Sequence, residues 1–495
     1  KDLMTDYIVA MPNDTTEFNE SWRNVVGSAG YMVANNIFSR LVVTETESLS
    51  SFPDLAHHWE RLDGARRWRF QLNQHARWHD GERLTAHDVA YTHRHAIEHK
   101  YHAASFLSDV ADIEVLDDYT VEYNLKAPNS AFLTPMGNFV ATHILPRHLF
   151  EGTDWATNPH NQNPVGSGPF RFVEHIPGDR VVLEAWPEYW GPPPGVDRVI
   201  VKIVEDRDEI IRMIKDGEAD YCPQDVLTTK RLPQAPETET RTVSRKRGPG
   251  VATLSFNNHR EQWDDRRLRE AVALAVNRAD LEPLVDPGYS EPWAHYLPGS
   301  SYAFAPEVKA PDHDKAGAEA LLDKVGLTAG EDGVRARWTG YYMETFDGHK
   351  AIGAVLSKNL AAVGIECEFL PLSSDDWLEK ISRDHDFDLI ISGGNMIPEP
   401  DITASRFETG GLRNASGLSN PAVDEAYRAG RAALDRDERI GHYRRLQEAF
   451  RDDVCWVPLF WYCNYAYRST KLFGWSDQID FRVPWWHWGR LRPVE

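Results

Sequence analysis

Three closely spaced histidines are the side chains best suited to hold a metal ion. His95, His99 and His102 stand at positions i, i+4 and i+7 of a predicted helix, and histidines four residues apart share one helix face. The same spacing is typical of a solvated helix face, and we favour that interpretation. We therefore expect neither a metal nor another cofactor.

Side chains that hydrolases use are present, but their spacing does not match a catalytic motif. Ser167 lies in Gly-Ser-Gly-Pro, whereas a nucleophile elbow requires G-x-S-x-G. Glu399 and Asp401 are two residues apart, and a glycosidase pair depends on a separation in space that this spacing does not give. The chain also lacks the HExxH and SxxK motifs. We therefore do not expect an enzyme.

The stretch Asp386–Asp401, DFDLIISGGNMIPEPD, is the clearest candidate for a binding site. Leu389–Ile391 is an apolar run of strand length. The paired glycines of Ser392–Gly394 are expected to end this strand and to leave backbone groups open to a close neighbour. Because ligands gather beyond the carboxyl ends of strands in α/β sheets, the sequence predicts a binding cleft beside Gly393–Met396. A plain strand-to-loop exit is the alternative.

The composition limits the class of protein. A chain of 495 residues is expected to form two or three domains, and it contains no apolar run of about 18 residues that would predict a membrane span. The net charge of -22 argues against binding to nucleic acid, which requires a basic face. The four cysteines include no CxxC pair, and Cys455 with Cys463 is the one disulfide that we consider.

Several segments carry clear secondary-structure signals. Trp68–Leu72 alternates apolar and polar residues as a half-buried strand does. Thr85 and Asp88 have the capping-box spacing, which predicts a helix from about Ala86 to about His99. Apolar periodicity with helix stops predicts further helices at Asp265–Asn277, Lys315–Val325, Lys350–Val363, Asn420–Asp435 and Arg436–Asp452.

An ordered set of motifs covers nearly the whole chain and resembles one known family. The motifs are WRFQLNQHARWHDGERLTAHDVAYT (Trp68–Thr92), VGSGPFRF (Val165–Phe172), Pro187–Tyr221, Leu254–Leu281, ALLDKVGL (Ala320–Leu327), the Asp386–Asp401 stretch and LSNPAVDEAY (Leu418–Tyr427). Taken together they resemble the oligopeptide-, dipeptide- and nickel-type solute-binding proteins of ABC importers, extracellular solute-binding family 5. The resemblance implies an α/β fold like that of the type II periplasmic binding proteins, with two lobes joined by a hinge.

The resemblance also implies a division into three domains. Domain I would combine residues 1–40, 165–250 and 465–495. Domain II would be an insertion at residues 41–164, and domain III would be residues 251–464. The two crossings near residues 250 and 464 would act as hinge strands when the lobes close over a ligand.

Candidate ligand-binding residues follow from the same resemblance. Peptide-binding relatives carry an aspartate in the strand-exit loop that pairs with the amino terminus of the peptide, and here that place falls on Asn395 or Met396. Neither is a carboxylate, and a buried ammonium without a counter-charge is costly. A free peptide amino terminus is therefore not expected there unless Glu399 or Asp401 substitutes. The other candidates are Ser28, Ala29, His349, Trp377, Gly393, Gly394, Trp461 and Asn464; for Trp461 and the other aromatics, core packing is the alternative.

The function that the resemblance implies is capture of a polar solute for an ABC importer. The solute would be an oligopeptide or peptide-like molecule, an opine or an oligosaccharide, and the permease subunits would be the protein partners. We expect a monomer that binds no nucleic acid and lies in the periplasm or outside the cell, either free or lipid-anchored. The alternative is a secreted hydrolase acting on peptide or oligosaccharide.

Overall fold

The chain forms two compact units. Unit 1 comprises residues 1–245 and 465–495, and unit 2 comprises residues 246–464. The computed structural model describes residues 5–19, 22, 29–44, 49–137, 142–222, 226–227, 230–286, 290–344, 347–395, 399–473 and 492–493. Among these residues, no helix is both long and apolar enough to cross a membrane.

Strands and helices occur along the whole described chain, and several strands follow one another directly. The strands are β1 Asp6–Met11, β2 Val42–Thr44, β3 Ser51–Pro53, β4 Ala56–Leu62, β5 Arg67–Leu72, β6 Val110–Asp117, β7 Thr120–Leu125, β8 Phe170–Ile176, β9 Arg180–Ala185, β10 Arg198–Ile203, β11 Tyr221–Cys222, β12 Arg241–Phe256, β13 Glu291–Pro292, β14 Ala336–Met343, β15 Ile365–Leu372, β16 Leu389–Asn395, β17 Trp456–Ser469, β18 Leu472–Phe473 and β19 Arg492–Pro493. The α-helices are α1 Ala29–Ile37, α2 Ala86–Glu98, α3 Leu133–Met136, α4 Arg147–Phe150, α5 Arg207–Asp216, α6 Arg266–Ala275, α7 Lys315–Lys324, α8 Asp347–Ala361, α9 Ser374–Asp376, α10 Ala404–Phe407, α11 Pro421–Ala432 and α12 Arg436–Asp452.

Unit 1 contains a mixed sheet and a separate antiparallel sheet. In the mixed sheet, β1 runs parallel to β10 and β11, and the strand order continues through the antiparallel β9 and β8. The second sheet has the order β4-β5-β7-β6 and is entirely antiparallel. Helix α2 packs on this sheet and buries Val89, Ala90 and Ala96. Large aromatic side chains fill the core, with Trp22, Trp78 and Trp155 fully buried.

Local capping signals determine where two helices of unit 1 begin and end. The capping box of α2 is present, and the Thr85 N–H donates to Asp88 Oδ2 at 2.8 Å. Helix α5 begins after Asp206, whose side chain accepts from two backbone N–H groups of the first turn. It ends at Gly217, which has the left-handed conformation (φ 86°) that glycine adopts without strain. The start predicted for the α2 segment is therefore confirmed.

Unit 2 is built around a sheet whose centre is β16. The parallel strands β15, β14 and β16 lie in that order, and β12 then pairs with β16 in antiparallel orientation. Helices α6 and α8 cover one face, and their buried side chains join those of the strands in one hydrophobic core. A second core lies around Tyr296, Tyr427, Tyr443 and Trp456, to which the antiparallel helix pair α11 and α12 contributes.

The structure corrects the predicted end of the central strand. We expected Leu389–Ile391 to end at the paired glycines, but β16 continues to Asn395. Gly393 pairs with Ala252, and Asn395 pairs with Gly250. The strand continues because β12 offers a full ladder of backbone partners, which satisfies the glycine N–H and C=O groups as well as those of any other residue.

The disulfide that we considered between Cys455 and Cys463 is not formed. Cys455 is a buried free thiol, and its Sγ lies 3.9 Å from Asp453 Oδ2. Cys455 directly precedes β17, and Cys463 lies within that strand. Since an extended strand rises about 3.3 Å per residue, the two residues are about 25 Å apart, far beyond the reach of a disulfide.

Candidate functional site

The carboxyl half of β16 presents alternate residues to two different layers. Ile391 belongs to the core beneath α8, and the next residue on that face is Gly393. Ile390 packs on the opposite face with Tyr341 and Phe387, and the next residue on that face is Ser392. Because successive residues of a strand point to opposite faces, the end of β16 has two separate polar surroundings.

His349 and Tyr462 meet over Gly393 on the α8 face. A Cβ atom added to Gly393 would lie 3.1 Å from His349 Nε2, 3.1 Å from Tyr462 Oη and 3.2 Å from Ala252 Cα. These separations are shorter than ordinary van der Waals contact. Glycine is therefore required at this position so that an imidazole and a phenol can approach the backbone of β16.

This pair of side chains is polar but uncharged. His349 is 2% exposed, and desolvation lowers the pKa of its imidazole to about 3, so the ring is neutral near pH 7. Burial also raises the pKa of Tyr462 well above its ordinary value. In the described part of the chain, Tyr462 Oη has no hydrogen-bond partner. A neutral imidazole and a phenol can both donate and accept hydrogen bonds, so the pair suits a polar group without charge.

A serine, a threonine and an arginine lie on the opposite face of β16. Thr253 Oγ1 lies 3.0 Å from Ser392 Oγ across the β12–β16 pair and donates to the Ser392 carbonyl oxygen at 2.9 Å. Arg406, on the short helix α10, donates from Nη2 to Ser392 Oγ at 2.9 Å. The loss of hydration lowers the pKa of the Arg406 guanidinium. This face therefore carries a positive charge at Ser392.

Trp377 lies on the same sheet face as Ser392. It opens the π-helical turn Trp377–Arg383 and packs, partly buried, against the small cluster that contains Tyr341 and Ile390. The face thus combines an indole and a guanidinium within one layer of unit 2. Whether Trp377 touches a ligand stays a prediction.

The two acids that follow β16 are bound to arginines of the same unit. Glu399 Oε1 lies 2.8 Å from Arg439 Nη2, and the Tyr302 hydroxyl donates toward both carboxylate oxygens at 3.3 Å. Asp401 Oδ1 lies 2.6 Å from Arg431 Nε. The Glu399 side chain is 3% exposed. Each carboxylate already has a cationic partner, so pairing a ligand ammonium would require breaking an internal ion pair.

Trp461 has the contacts of a core residue. It is 5% exposed, and its ring centroid lies 4.6 Å from that of Trp293. The Arg247 guanidinium carbon lies 4.6 Å from the Trp461 ring centroid, and Arg247 also pairs with Glu291 at 2.5 Å. The packing alternative accounts for all of these contacts, and a role of Trp461 in stacking on a ligand stays a prediction.

The remaining predicted site residues fall wholly or partly outside the described residues. For four of them only the backbone is described, in α1 for Ala29, in β16 for Gly394 and Asn395, and in β17 for Asn464. Ser28 and Met396 lie outside the described residues altogether. All six stay predictions.

His95 and His99 belong to an aromatic stack. The rings of His95 and His99 stack at 3.9 Å, and His95 also stacks on Trp155 at 4.2 Å. Burial lowers the pKa of His95 to about 4. His102 lies in a separate 3-10 turn, and its side chain is not described. Over the described ranges, no three His, Cys, Asp or Glu side chains are grouped so that they could hold a metal ion.

Sequence reasoning missed two residues that the fold brings to the site. Tyr462 stands inside the apolar run that forms β17, where nothing separates it from core aromatics. Arg406 stands in Ala-Ser-Arg-Phe on a four-residue helix with no recognisable motif. Both reach β16 through tertiary contacts, and no local pattern in the sequence signals such contacts.

Comparison with known proteins identifies the family. The profile of bacterial extracellular solute-binding proteins, family 5, matches residues 52–412. Protein XP55 of Streptomyces lividans is 27% identical over 463 residues, which covers 91% of this chain and 83% of that protein. The oligopeptide-binding protein AppA of Bacillus subtilis is 23% identical over 504 residues, with 95% and 89% covered.

Solved structures share the fold. The structure of the PBP AgaA from A. tumefaciens R10 in complex with agropinic acid matches with a TM-score of 0.86 and 21% identity, and the match covers 99% of each chain. The α/β binding-protein fold expected from the resemblance is thereby confirmed. Since the family profile spans most of its length, the chain belongs to the bacterial extracellular solute-binding proteins, family 5, which are binding proteins and not enzymes.

Proposed function

We propose that the chain is the receptor of an ABC importer and captures a polar, extended solute at the end of β16. The observation that carries this proposal is the uncharged pair formed by His349 and Tyr462 over Gly393. The Tyr462 hydroxyl has no hydrogen-bond partner among the described residues, so a ligand that left it unmet would lose affinity. The preferred ligand therefore presents hydroxyl or amide groups here.

The acids near β16 support a ligand without an essential α-ammonium group. Peptide-type recognition would need a free carboxylate, and the carboxylates of Glu399 and Asp401 are already paired with Arg439 and Arg431. Breaking such a partly buried pair to bind an ammonium would leave an arginine without its counter-charge. Peptide-like molecules with a blocked amino group, opines and oligosaccharides meet this condition.

The named relatives support the same range of solutes. AgaA was solved with agropinic acid, and AppA of Bacillus subtilis is named for oligopeptide binding. The names of these relatives give no support to the hydrolase alternative. The delivery partner in this proposal is the permease of an ABC importer, with the receptor acting as a monomer. It works in the periplasm or outside the cell, in a free or lipid-anchored form.

The proposal keeps the three-domain division and the full set of candidate residues. Unit 2 spans residues 246–464, against 251–464 for the proposed domain III. Domain I remains assigned to residues 1–40, 165–250 and 465–495, with domain II at 41–164. The ligand-binding candidates are Ser28, Ala29, His349, Trp377, Gly393, Gly394, Asn395, Met396, Glu399, Trp461 and Asn464, and the structure adds Tyr462.

Two measurements test the proposal. Mass spectrometry of material released from the purified protein identifies any bound solute, and calorimetry with that solute then measures affinity. Calorimetry with a peptide and its N-acetylated form separates the ligand classes, since acetylation removes only the ammonium charge. Acetylation that abolishes binding would overturn the neutral-ligand proposal, and catalytic turnover of peptides or oligosaccharides would overturn the receptor function.

A further inference from the structure

Arg406 differs from the structural arginines of unit 2 in what its guanidinium contacts. Arg278 is held by two backbone carbonyls, donating to Pro458 O at 2.8 Å and to Pro311 O at 3.0 Å. Arg406 makes one hydrogen bond among the described residues, to the hydroxyl of Ser392. A hydroxyl is a weak and neutral acceptor for a guanidinium, which prefers carboxylate or phosphate oxygens.

No carboxylate of the described chain pairs with Arg406. Arg431 pairs with Asp401 and Glu408, both at 2.6 Å, and Arg439 pairs with Glu399 at 2.8 Å. Acidic residues outnumber lysine and arginine by 76 to 54 in the sequence, so a counter-charge would be easy to supply. Keeping a desolvated guanidinium without one costs stability. The burial is sufficient to lower the pKa of Arg406.

Arg406 has donor groups that no described residue uses. The side chain is only partly buried, and no described residue accepts a hydrogen bond from its Nε or Nη1. Ser392 Oγ accepts the hydrogen bond from Nη2 and lies 3.0 Å from Thr253 Oγ1. The Arg406 guanidinium carbon lies 5.5 Å from the Phe407 ring centroid. Ser392 takes up one of the two N–H groups of Nη2, so the other Nη2 N–H and its neighbouring nitrogen still form one edge of the guanidinium for a molecule that arrives from solvent.

We infer that Arg406 binds a carboxylate group of the transported solute at the carboxyl end of β16. This inference rests on the proposed function and narrows its ligand class to acidic solutes that lack an essential α-ammonium. A guanidinium edge matches the two oxygens of a carboxylate in bidentate geometry. The chain as a whole carries a net charge of -22 and repels anions. A local cation is therefore required wherever an anionic group is to be bound.

Two matched pairs of probes test the inference by calorimetry. One pair is a mixture of N-acetylated tripeptides with free carboxyl ends and the same mixture as carboxyl-terminal amides. The other is a set of N-substituted amino acids as free acids and as amides. The wild-type protein is expected to prefer the acid forms. Arg406→Gln is expected to weaken acid binding about tenfold or more, with less than about a twofold change for the amides.

Two further variants separate charge, geometry and folding. Arg406→Lys keeps the positive charge but loses the planar pair of donors that binds a carboxylate in bidentate geometry. It is therefore expected to show part of the acid preference that Arg406→Gln loses. Arg428→Gln removes an arginine that pairs on the surface with Glu425 and serves as the control. The thermal unfolding midpoint of each variant shows that it is folded.

The possible outcomes distinguish a failure of the role of Arg406 from a failure of the proposed ligand class. Equal binding of acids and amides by the wild type, or an acid preference that persists in Arg406→Gln, overturns the role of Arg406 and leaves the receptor function standing. Failure of all four probe sets to bind the wild type overturns the proposed ligand class, and the inference with it.

Discussion

At the scale of residues, the site is defined by which charges are already satisfied. Glu399 and Asp401 look available in the sequence, but Arg439 and Arg431 bind them. His349 is buried and neutral. The Tyr462 hydroxyl has no partner among the described residues, and it determines what a ligand must supply because buried polar atoms require hydrogen bonds.

Gly393→Ala tests the close approach at the end of β16. The new Cβ would lie 3.1 Å from both His349 Nε2 and Tyr462 Oη, so we expect a loss of about 1–3 kcal/mol in unfolding free energy from overpacking. Ligand affinity should fall as well. Gly441→Ala on α12 is the control, because an added Cβ there meets nothing within 4 Å. Urea denaturation measures both, and an unchanged midpoint for Gly393→Ala would contradict the described packing.

Glu399→Gln separates a structural from a ligand-binding role of this acid. Its carboxylate is buried against Arg439, so neutralising it leaves a desolvated guanidinium and should cost about 3 kcal/mol of stability. The exposed pair Glu425–Arg428 gives the control, since Glu425→Gln should cost under about 1 kcal/mol. Chemical denaturation and ligand titration are run on both variants. Lost affinity with unchanged stability would show that Glu399 serves the ligand instead.

Buried histidines of unit 1 predict acid sensitivity. His93 is fully buried between Tyr123 Oη at 2.6 Å and the Thr142 carbonyl oxygen at 3.4 Å, and desolvation lowers its pKa to about 4. Between this value and about 6.5, the unfolded chain binds a proton that the native state does not. Stability therefore falls as the pH is lowered from about 6.5 to about 4, by about 2 kcal/mol for this residue at pH 5.

The variant His93→Gln isolates this contribution. It removes the titrating group but keeps an acceptor for the Tyr123 hydroxyl, so unfolding free energies measured from pH 7 to pH 5 should fall less steeply than in the wild type. His58→Gln, at an exposed position of β4, is the matched histidine control. Identical slopes for His93→Gln and the wild type would rule out His93 as the titrating group.

At the scale of elements, the backbone partners of a strand decide whether a local stop signal in the sequence ends that strand. β16 passes through two glycines because β12 completes its ladder, and the same two glycines had indicated an end to the strand. Helix α2 shows the opposite case, in which a local capping box coincides with the observed start. Local signals therefore predict helix ends better than strand ends, since the partners of a strand come from distant residues.

Asp88→Ala tests how much the capping box of α2 contributes. Asp88 accepts from the Thr85 N–H at 2.8 Å and from the Arg147 N–H at 3.0 Å, so its loss leaves two backbone donors without a partner. We expect a destabilisation of about 1–3 kcal/mol. Glu98→Ala, at the exposed end of the same helix, is the matched control and should be near neutral. Thermal unfolding followed by circular dichroism compares them, and equal midpoints would show that the box contributes little.

The sequence predicted most helices and few of the site contacts. Helices such as α12, expected at Arg436–Asp452, carry their own period and caps, and the structure has the same bounds. The sequence predicted a site at β16 and His349, and it gave no signal for Tyr462 or Arg406, which contact β16 in the structure. Their roles depend on the packing of β17 and α10 against β16, a tertiary arrangement that no periodicity or cap encodes.

At the scale of the whole molecule, two strands connect the units and are the places where the lobe closure expected of the family would occur. β12 and β17 each contain one of the two points at which the chain passes between the units. Lobe closure of the kind that the resemblance implies would change backbone dihedral angles at these two crossings.

Ligand binding is expected to stabilise and compact the protein. A ligand that binds only the folded state raises stability by RT ln(1 + [L]/Kd), about 2.7 kcal/mol at a hundredfold excess over Kd. With the co-purified solute, differential scanning fluorimetry should show a higher unfolding midpoint and small-angle scattering a smaller radius of gyration. A saturating ligand that raises the midpoint but leaves the radius unchanged would exclude closure while retaining binding.

The order of the units along the chain has a consequence for synthesis. Unit 2 is one unbroken segment, 246–464, and all of its strands exist once residue 464 has been made. Unit 1 needs the later residues Tyr467 and Arg468, which pair with Cys222 and Tyr221 of β11. During synthesis from the amino terminus, unit 2 is therefore complete before unit 1. The sheet of unit 1 keeps an unpaired edge at β11 until the end of β17 has been made. Such an edge is open to pairing with other chains until β17 arrives.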